Sequence, residues 1–229
     1  TSILSAPDDC GMSALDCIYE IMENEVQRRD SNALARRLKE AKICLPNARP
    51  DTIDFSIERG LDKNKIDALL TMRWMEEHQN IIITGAAGCG KTFLACALVN
   101  QACIKGRTAR VVRVPLLLNQ MAASHQIVET YFKKLKEMKT IDLLVLDDWG
   151  IGQLDARSRQ DLLEIINERY MYASTIVTSV LPVNKWSEYI NDTTYSDAIL
   201  DRLVSVSHRV ELNGASVRQM KEYGAVLKE

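Results

Sequence analysis

No stretch of this 229-residue chain approaches the roughly 18–20 consecutive apolar residues that a membrane-spanning helix needs. The opening residues, TSILSAPDDCG, lack the basic stretch and apolar core of a secretory leader. Neither sign of charge is in excess: 29 Lys and Arg stand against 31 Asp and Glu. That near balance excludes a global electrostatic pull toward nucleic acid or acidic membranes, so any DNA contact has to come from local basic clusters. Histidine is scarce, and His78, His125 and His208 lie far apart, which argues against a metal centre built from them. The six cysteines, at 10, 17, 44, 89, 96 and 103, form no CxxC pair and all fall in the first half of the chain. A disulfide framework does not look like that, so reduced thiols in a cytoplasmic protein are expected. Internal repeats and low-complexity tracts are missing too. The chain opens on Thr rather than Met, which fits either a fragment or added leading residues.

What is present is enough apolar residue, 46%, for one full-sized α/β domain and a small extra piece. From Leu15 to Ile43 the pattern is helical, with Ile18, Ile21 and Met22 on one face and Leu34, Leu38 and Ala41 on another. Asp30-Ser31-Asn32 between them supplies N-cap chemistry, so a pair of short helices is expected over residues 1–46. Residues 47–60, with two prolines nearby and a closing Gly60, read as a linker. From 61 to 229 the pattern becomes one helix, LDKNKIDALLTMRWMEEH, followed by alternating strands and helices. Short apolar runs IIIT, ARVVRV, IDLLVL, STIVTSV and SHRVEL are separated by amphipathic helices. Apolar strands separated by helices predict a parallel sheet covered on both faces, an α/β three-layer sandwich.

GAAGCGKT, residues 85–92, fits the phosphate-binding pattern G-x-x-x-x-G-K-[ST], with an apolar strand before it and a helix after it, as the mechanism demands. Glycines at 85, 88 and 90 let the backbone turn its N–H groups inward around phosphate oxygens. Lys91 would reach the β and γ phosphates of ATP, and the Thr92 hydroxyl would hold Mg²⁺. Cys89 is a side-chain position within the loop. The apolar strand LLVLDDWG ends in two aspartates. In a P-loop fold such a strand is expected beside the P-loop strand, with Asp147 binding Mg²⁺ mostly through water and Asp148 orienting and deprotonating the attacking water. Trp149 next to them reads as packing.

GAAGCGKTFLACAL, DLLVLDDWG, DLLEIINERY, STIVTSVLPVNKW and DAILDRL followed by GASVR resemble the IstB-like helper ATPases of insertion-sequence transposons, which are sister proteins of the DnaC-like helicase loaders within AAA+. The resemblance covers about residues 15–220. It implies an AAA+ fold, ATP-dependent assembly of a homo-oligomer, ring or spiral, on double-stranded DNA without sequence preference, and a partner transposase of the same element. It also implies roles for single residues. Arg202 in LDRL looks like the arginine finger that reaches a neighbouring subunit's γ-phosphate. Arg218 in GASVR looks like the second sensor, and Thr178 or Ser179 at the end of TIVTS like the first. Two positions depart from the family. Asp148 is one methylene shorter than the Glu many relatives carry, and Val180 stands near where they often carry Asn.

Three basic clusters are candidates for phosphate contacts: Arg28, Arg29, Arg36, Arg37 and Lys39; Lys105, Arg107, Arg110 and Arg113; Lys133, Lys134, Lys136 and Lys139. Repeated around an assembly, modest patches would bind duplex strongly and in a salt-sensitive way. The function expected is an ATP-hydrolysing regulator of transposition that recruits and stimulates its transposase. The alternative is a replicative helicase loader. A small-molecule kinase leaves LDRL and the second-sensor arginine unexplained, and a scaffold with negligible turnover is favoured only by the short Asp148.

Overall fold

The computed structural model describes residues 14–214, 216 and 217. Five strands form one sheet: β1 (Asn80–Gly85), β2 (Ala109–Arg113), β3 (Leu143–Trp149), β4 (Ser174–Ser179) and β5 (Ser207–Leu212), in the order β2-β3-β4-β1-β5, every neighbouring pair parallel. The three central strands, β3, β4 and β1, are buried on both faces because helices cover both. Side chains alternate across a strand, and the alternation divides the core in two. Ile81, Ile83, Leu143, Val145 and Ile176 belong to one cluster, Ile82, Leu144, Leu146 and Val177 to the other. The first cluster packs under α1 (Ala14–Glu40), α2 (Lys63–Leu70), α3 (Arg73–Glu76) and α4 (Lys91–Ile104). The second packs under α5 (Val114–Ser124), α6 (Val128–Thr140), α7 (Ala156–Arg169), α8 (Trp186–Ile190) and α9 (Thr193–Val204). The α/β three-layer sandwich expected from the sequence is therefore present. No helix among the described residues is long and apolar enough to cross a membrane.

Three expectations need correction. The helical pair over the first 46 residues is, from Ala14, one unbroken helix of 27 residues. Asp30, Ser31 and Asn32 lie inside it, Ser31 and Asn32 exposed. Without Pro or Gly, three such residues cost only tenths of a kcal/mol each in helix propensity, about 0.5, and Arg28 and Arg29 both reach Glu25 one turn earlier. The second correction is at LDKNKIDALLTMRWMEEH, which breaks at Met72. That residue takes a left-handed backbone (φ 66) between α2 and α3 and buries its side chain. Thr71 caps the break by donating its hydroxyl to the Ala68 carbonyl at 2.7 Å.

The third concerns topology. The acidic strand β3 does not lie beside the P-loop strand β1, because β4 runs between them. Strand order is a long-range property that periodicity does not encode. Its consequence is that β4's own C-terminal residues stand between the acidic strand end and the phosphate-binding loop.

Candidate functional site

The turn from β1 into α4 carries the phosphate-binding pattern. Gly90 ends it in a left-handed conformation (φ 100), and a Cβ there would fall 2.5 Å from Nη1 of Arg59. Gly85 leaves even less room, since a Cβ would lie 2.2 Å from the Leu212 carbonyl oxygen of β5. Only glycine fits either place. Gly88 is crossed by the chain near the far end of the described residues, where the Val217 amide donates to its carbonyl at 3.1 Å. Cys89 turns its side chain into the core. The positive end of the 14-residue α4 opens directly on the loop, an arrangement that favours anions. Lys91 is buried at that helix start, and its ammonium donates to the carbonyls of Gly85 (2.9 Å) and Ala86 (2.7 Å). The lysine charge is thus concentrated on the loop itself.

Behind the loop three side chains meet. The Thr92 hydroxyl donates to Oδ1 of Asp147 at 2.9 Å, and the Thr178 hydroxyl, from the intervening β4, donates to the same oxygen. Thr178 also accepts from the Asp148 amide at 3.3 Å. Register explains the contact. Leu146 pairs with Val177 and Trp149 with Ser179, so two residues of β3 face the single Thr178. Consecutive aspartates in a regular strand would point to opposite faces, and this bulge, with Asp148 left-handed (φ 62), breaks that alternation. The Asp148 carboxylate accepts from Nε of Arg113 on β2 at 2.6 Å, and the pairing holds the Arg113 guanidinium above its ordinary pKa. Ser179 does not join this group: its hydroxyl donates to the Trp149 carbonyl at 2.7 Å. Trp149 itself packs against Trp186 and Tyr189 in the core, as its sequence context suggested.

Of the residues singled out in the sequence, the structure brings Thr92, Asp147 and Thr178 together with Lys91 beside them, whereas Ser179, the other first-sensor candidate, braces the neighbouring turn. Arg202 is elsewhere. It lies in the last turn of α9 with Nη1 donating to the Ala198 carbonyl (2.7 Å) and its guanidinium over the Tyr170 ring. Its carbonyl accepts from the side chain of Asn80, the first residue of β1, while the P-loop begins at the last. Five strand steps separate the two ends of β1, about 16 Å at the usual rise, too far for an arginine to reach its own loop. Arg218 lies outside the described residues.

Two participants were missed. Leu45 and several residues of 47–60, the segment read as a linker, form one wall of a cavity of about 280 Å³ whose other wall includes Gly88, Gly90, Lys91 and Thr92. Arg59 projects from that wall, 5% exposed, and Nη1 donates to the Cys89 carbonyl at 3.3 Å. Arg113 was counted only as part of a basic cluster, although its place at the end of strand ARVVRV, level with Asp147, was the available signal. The basic clusters are partly neutralised. Arg110 pairs with Glu137, Arg113 with Asp148 and Lys139 with Glu168.

The model of the IstB-like ATP binding protein family matches residues 3–225. A protein described as an insertion sequence ATP-binding protein, from Sinorhizobium fredii, is 42% identical over 219 residues, covering 96% of this chain and 89% of the relative. One from the Mycobacterium tuberculosis insertion sequence is 29% identical, covering 92% of this chain and 83% of its own length. Among solved structures, DnaI superposes with a TM-score of 0.59 at 22% identity, covering 74% of this chain and 90% of that one. The DnaC helicase loader gives 0.55 at 21%, covering 73% and 98%. At those identities the two structures speak for the AAA+ fold alone. A family match over nearly the whole length, on a sheet and a phosphate-binding loop of this kind, shows that the chain belongs to the IstB-like ATP-binding proteins, a family of AAA+ ATPases.

Proposed function

We propose that this chain is the ATP-dependent DNA-binding regulator of an insertion sequence: it assembles on double-stranded DNA, recruits and stimulates the element's transposase, and hydrolyses ATP at subunit junctions. The observation that carries the reading is the division of the catalytic set. Lys91, Thr92, Asp147 and Thr178 gather at one end of the sheet, while Arg202 sits at the other. A site so divided is complete only when a second copy brings its Arg202 to the first copy's γ-phosphate. In this reading Gly85, Gly88, Cys89 and Gly90 cradle the phosphates and Lys91 neutralises them. Two hard oxygens, Thr92 Oγ1 and Asp147 Oδ1, already 2.9 Å apart, fit the chemistry of Mg²⁺. The metal would neutralise charge on the β and γ phosphates. Asp148 would orient and deprotonate the attacking water. Thr178, rather than Ser179, would act as first sensor, and Arg218 would be the second.

The insertion-sequence relatives support the transposase as partner. The exposed lysines and arginines of the three clusters support contact with DNA phosphates. We take residues 1–46 as the part that meets the partner or DNA, 47–60 as its connection and 61–229 as the ATPase domain, acting in the cytoplasm. The test is duplex binding in a mobility assay with and without ATP at several salt concentrations. Tight, sequence-indifferent binding that needs ATP and weakens steeply with salt is expected. Binding that is equally tight without nucleotide, or none at low salt, would refute the assembly.

A further inference from the structure

Arg59 has no part in the nucleotide chemistry described so far, yet it is built into the same cavity. Its neighbours fix it from two sides. The Asn213 amide donates to the Arg59 carbonyl at 2.8 Å, tying its backbone to the end of β5. The guanidinium then reaches under the phosphate-binding loop, where Nη1 donates to the Cys89 carbonyl at 3.3 Å and Nη2 to the Asp54 carbonyl at 2.9 Å. Both bonds end on main-chain oxygens, and Nε is buried with no partner. Burial pushes the guanidinium's pKa below its ordinary value, against the opposing pull of Asp54. A buried cation with an unused donor is costly unless something else meets it.

Other buried arginines show the difference. Arg169, 2% exposed, spends its guanidinium on Thr175, Met138, Ile141 and Ser174, which ties the ends of α6 and α7 to β3 and β4. Arg110 and Arg159 also carry an unpaired Nε, but Arg110 has Glu137 as ion-pair partner, and Arg159 bonds the Leu154 and Ile190 carbonyls on the opposite side of the sheet. Arg59 alone of these lines the cavity with Gly88, Gly90, Lys91 and Thr92.

We propose that Arg59 is a nucleotide-binding residue: it braces the phosphate-binding loop through the Cys89 carbonyl and turns its charge and the second hydrogens of Nη1 and Nη2 to the phosphate chain of the bound nucleoside triphosphate. The inference rests on the nucleotide reading of this cavity. Arginine suits the place because its planar fork can hold a carbonyl and a phosphate oxygen at once, which an ammonium cannot. Glycine at residue 90, whose φ of 100 favours it in any case, lets the guanidinium approach the loop closely.

The experiment compares wild type, Arg59→Met and Arg59→Lys for binding of ATP and ADP by calorimetric titration and of adenosine by competition, with the melting temperature of each variant measured without nucleotide. A lost phosphate partner changes the ratio of ADP to adenosine affinity, whereas a fold defect moves both together. Arg59→Met should weaken ATP and ADP at least tenfold and leave adenosine within twofold. Arg59→Lys, which keeps the charge and loses the fork, should fall between. If Arg59→Met does not fold, the same ratio in Arg59→Lys decides. ATP and ADP affinities within twofold of wild type, or an equal loss for all three ligands, would overturn the proposal. Wild-type protein that binds neither nucleotide would instead overturn the nucleotide reading itself.

Discussion

Thr178→Val removes a hydroxyl and little else. The side chain is 1% exposed, and valine has nearly the same shape, so packing is conserved. Two hydrogen bonds go: the one donated to Oδ1 of Asp147 and the 3.3 Å bond accepted from the Asp148 amide. The first involves a carboxylate, and such a bond contributes about 1.5–3 kcal/mol, the second about 0.5–1. For a domain of this size each kcal/mol shifts the melting temperature by roughly 2–4 °C, so a drop of about 4–16 °C is expected. The functional effect should be more selective. Thr92 remains as a donor to Asp147, and the phosphate-binding loop is untouched, so ATP affinity should stay within about threefold. Turnover should fall roughly 10–100-fold, equivalent to about 1.4–2.7 kcal/mol of transition-state stabilisation, because the carboxylate is no longer held from both sides. Thr178→Ser keeps the hydroxyl and should recover most of that loss. Phosphate release, calorimetric titration and thermal melting measure the three quantities. Wild-type turnover in Thr178→Val would refute the coupling of β4 to the acidic strand end. Equal damage from Ser and Val would show that the methyl group matters as much as the hydroxyl.

Other consequences are open to measurement. Lys91→Ala should lose most ATP binding with the fold intact, and near-wild-type affinity in a calorimetric titration would count against the phosphate site. Arg202→Ala and Asp148→Asn should each bind ATP without cleaving it, and a mixture should regain part of the activity, since each variant keeps the half that the other lacks. No recovery in a mixture that co-assembles would show that Arg202 does not act across a junction. Cys44 is exposed, whereas burial pushes the thiols of Cys96 and Cys103 up to about 12 and about 11, so a thiolate-directed alkylating agent at pH 8 should label Cys44 far faster than either. The same two thiols keep their protons in the folded chain above pH 9, where the unfolded chain begins to release them. Stability should therefore decline from about pH 9 upward in a series of denaturant titrations, and a flat profile there would contradict their burial.

Local chemistry was legible in the sequence wherever a mechanism needs several residue types in a row. The phosphate-binding loop, the helix KTFLACALVNQACI after it and the strand STIVTS were all readable, because glycine, lysine and apolar periodicity leave few other conformations. What was hidden depends on distant partners. The place of β3 two strands from β1 follows from crossovers, not from any residue in LLVLDD. Asp30-Ser31-Asn32 looked like a cap, but capping groups inside an exposed helix simply face water. Arg59 carried no signal because its partners, the Cys89 carbonyl and the Asn213 amide, are backbone atoms that any sequence supplies. Arg202 was legible only through the family, since by its own context it is a half-buried arginine resting on Tyr170.

Several of the places where the chain breaks local rules lie at the phosphate-binding loop and the acidic strand end. Asp148 holds a left-handed backbone that costs a non-glycine residue of order 1–3 kcal/mol in unfavourable cases, less for Asp than for most. The β3–β4 register slips at the same point. Arg59 leaves its buried Nε unpaired beside the loop, and Lys91 is buried with its charge on two carbonyls. Others lie away from the site: Met72, Met171 and Asn191 are left-handed too, and Arg110 and Arg159 also leave Nε unpaired. Arg169 shows that a fully buried arginine can be satisfied where only packing is asked of it. Strain and unused donors persist where the surrounding structure holds them for another purpose. Arg59, Lys91 and Thr92 line one cavity with the phosphate-binding loop, and Thr92 ties that lining to Asp147, so a ligand seated there meets two cations and must be anionic and present several oxygens. A nucleoside triphosphate meets both requirements.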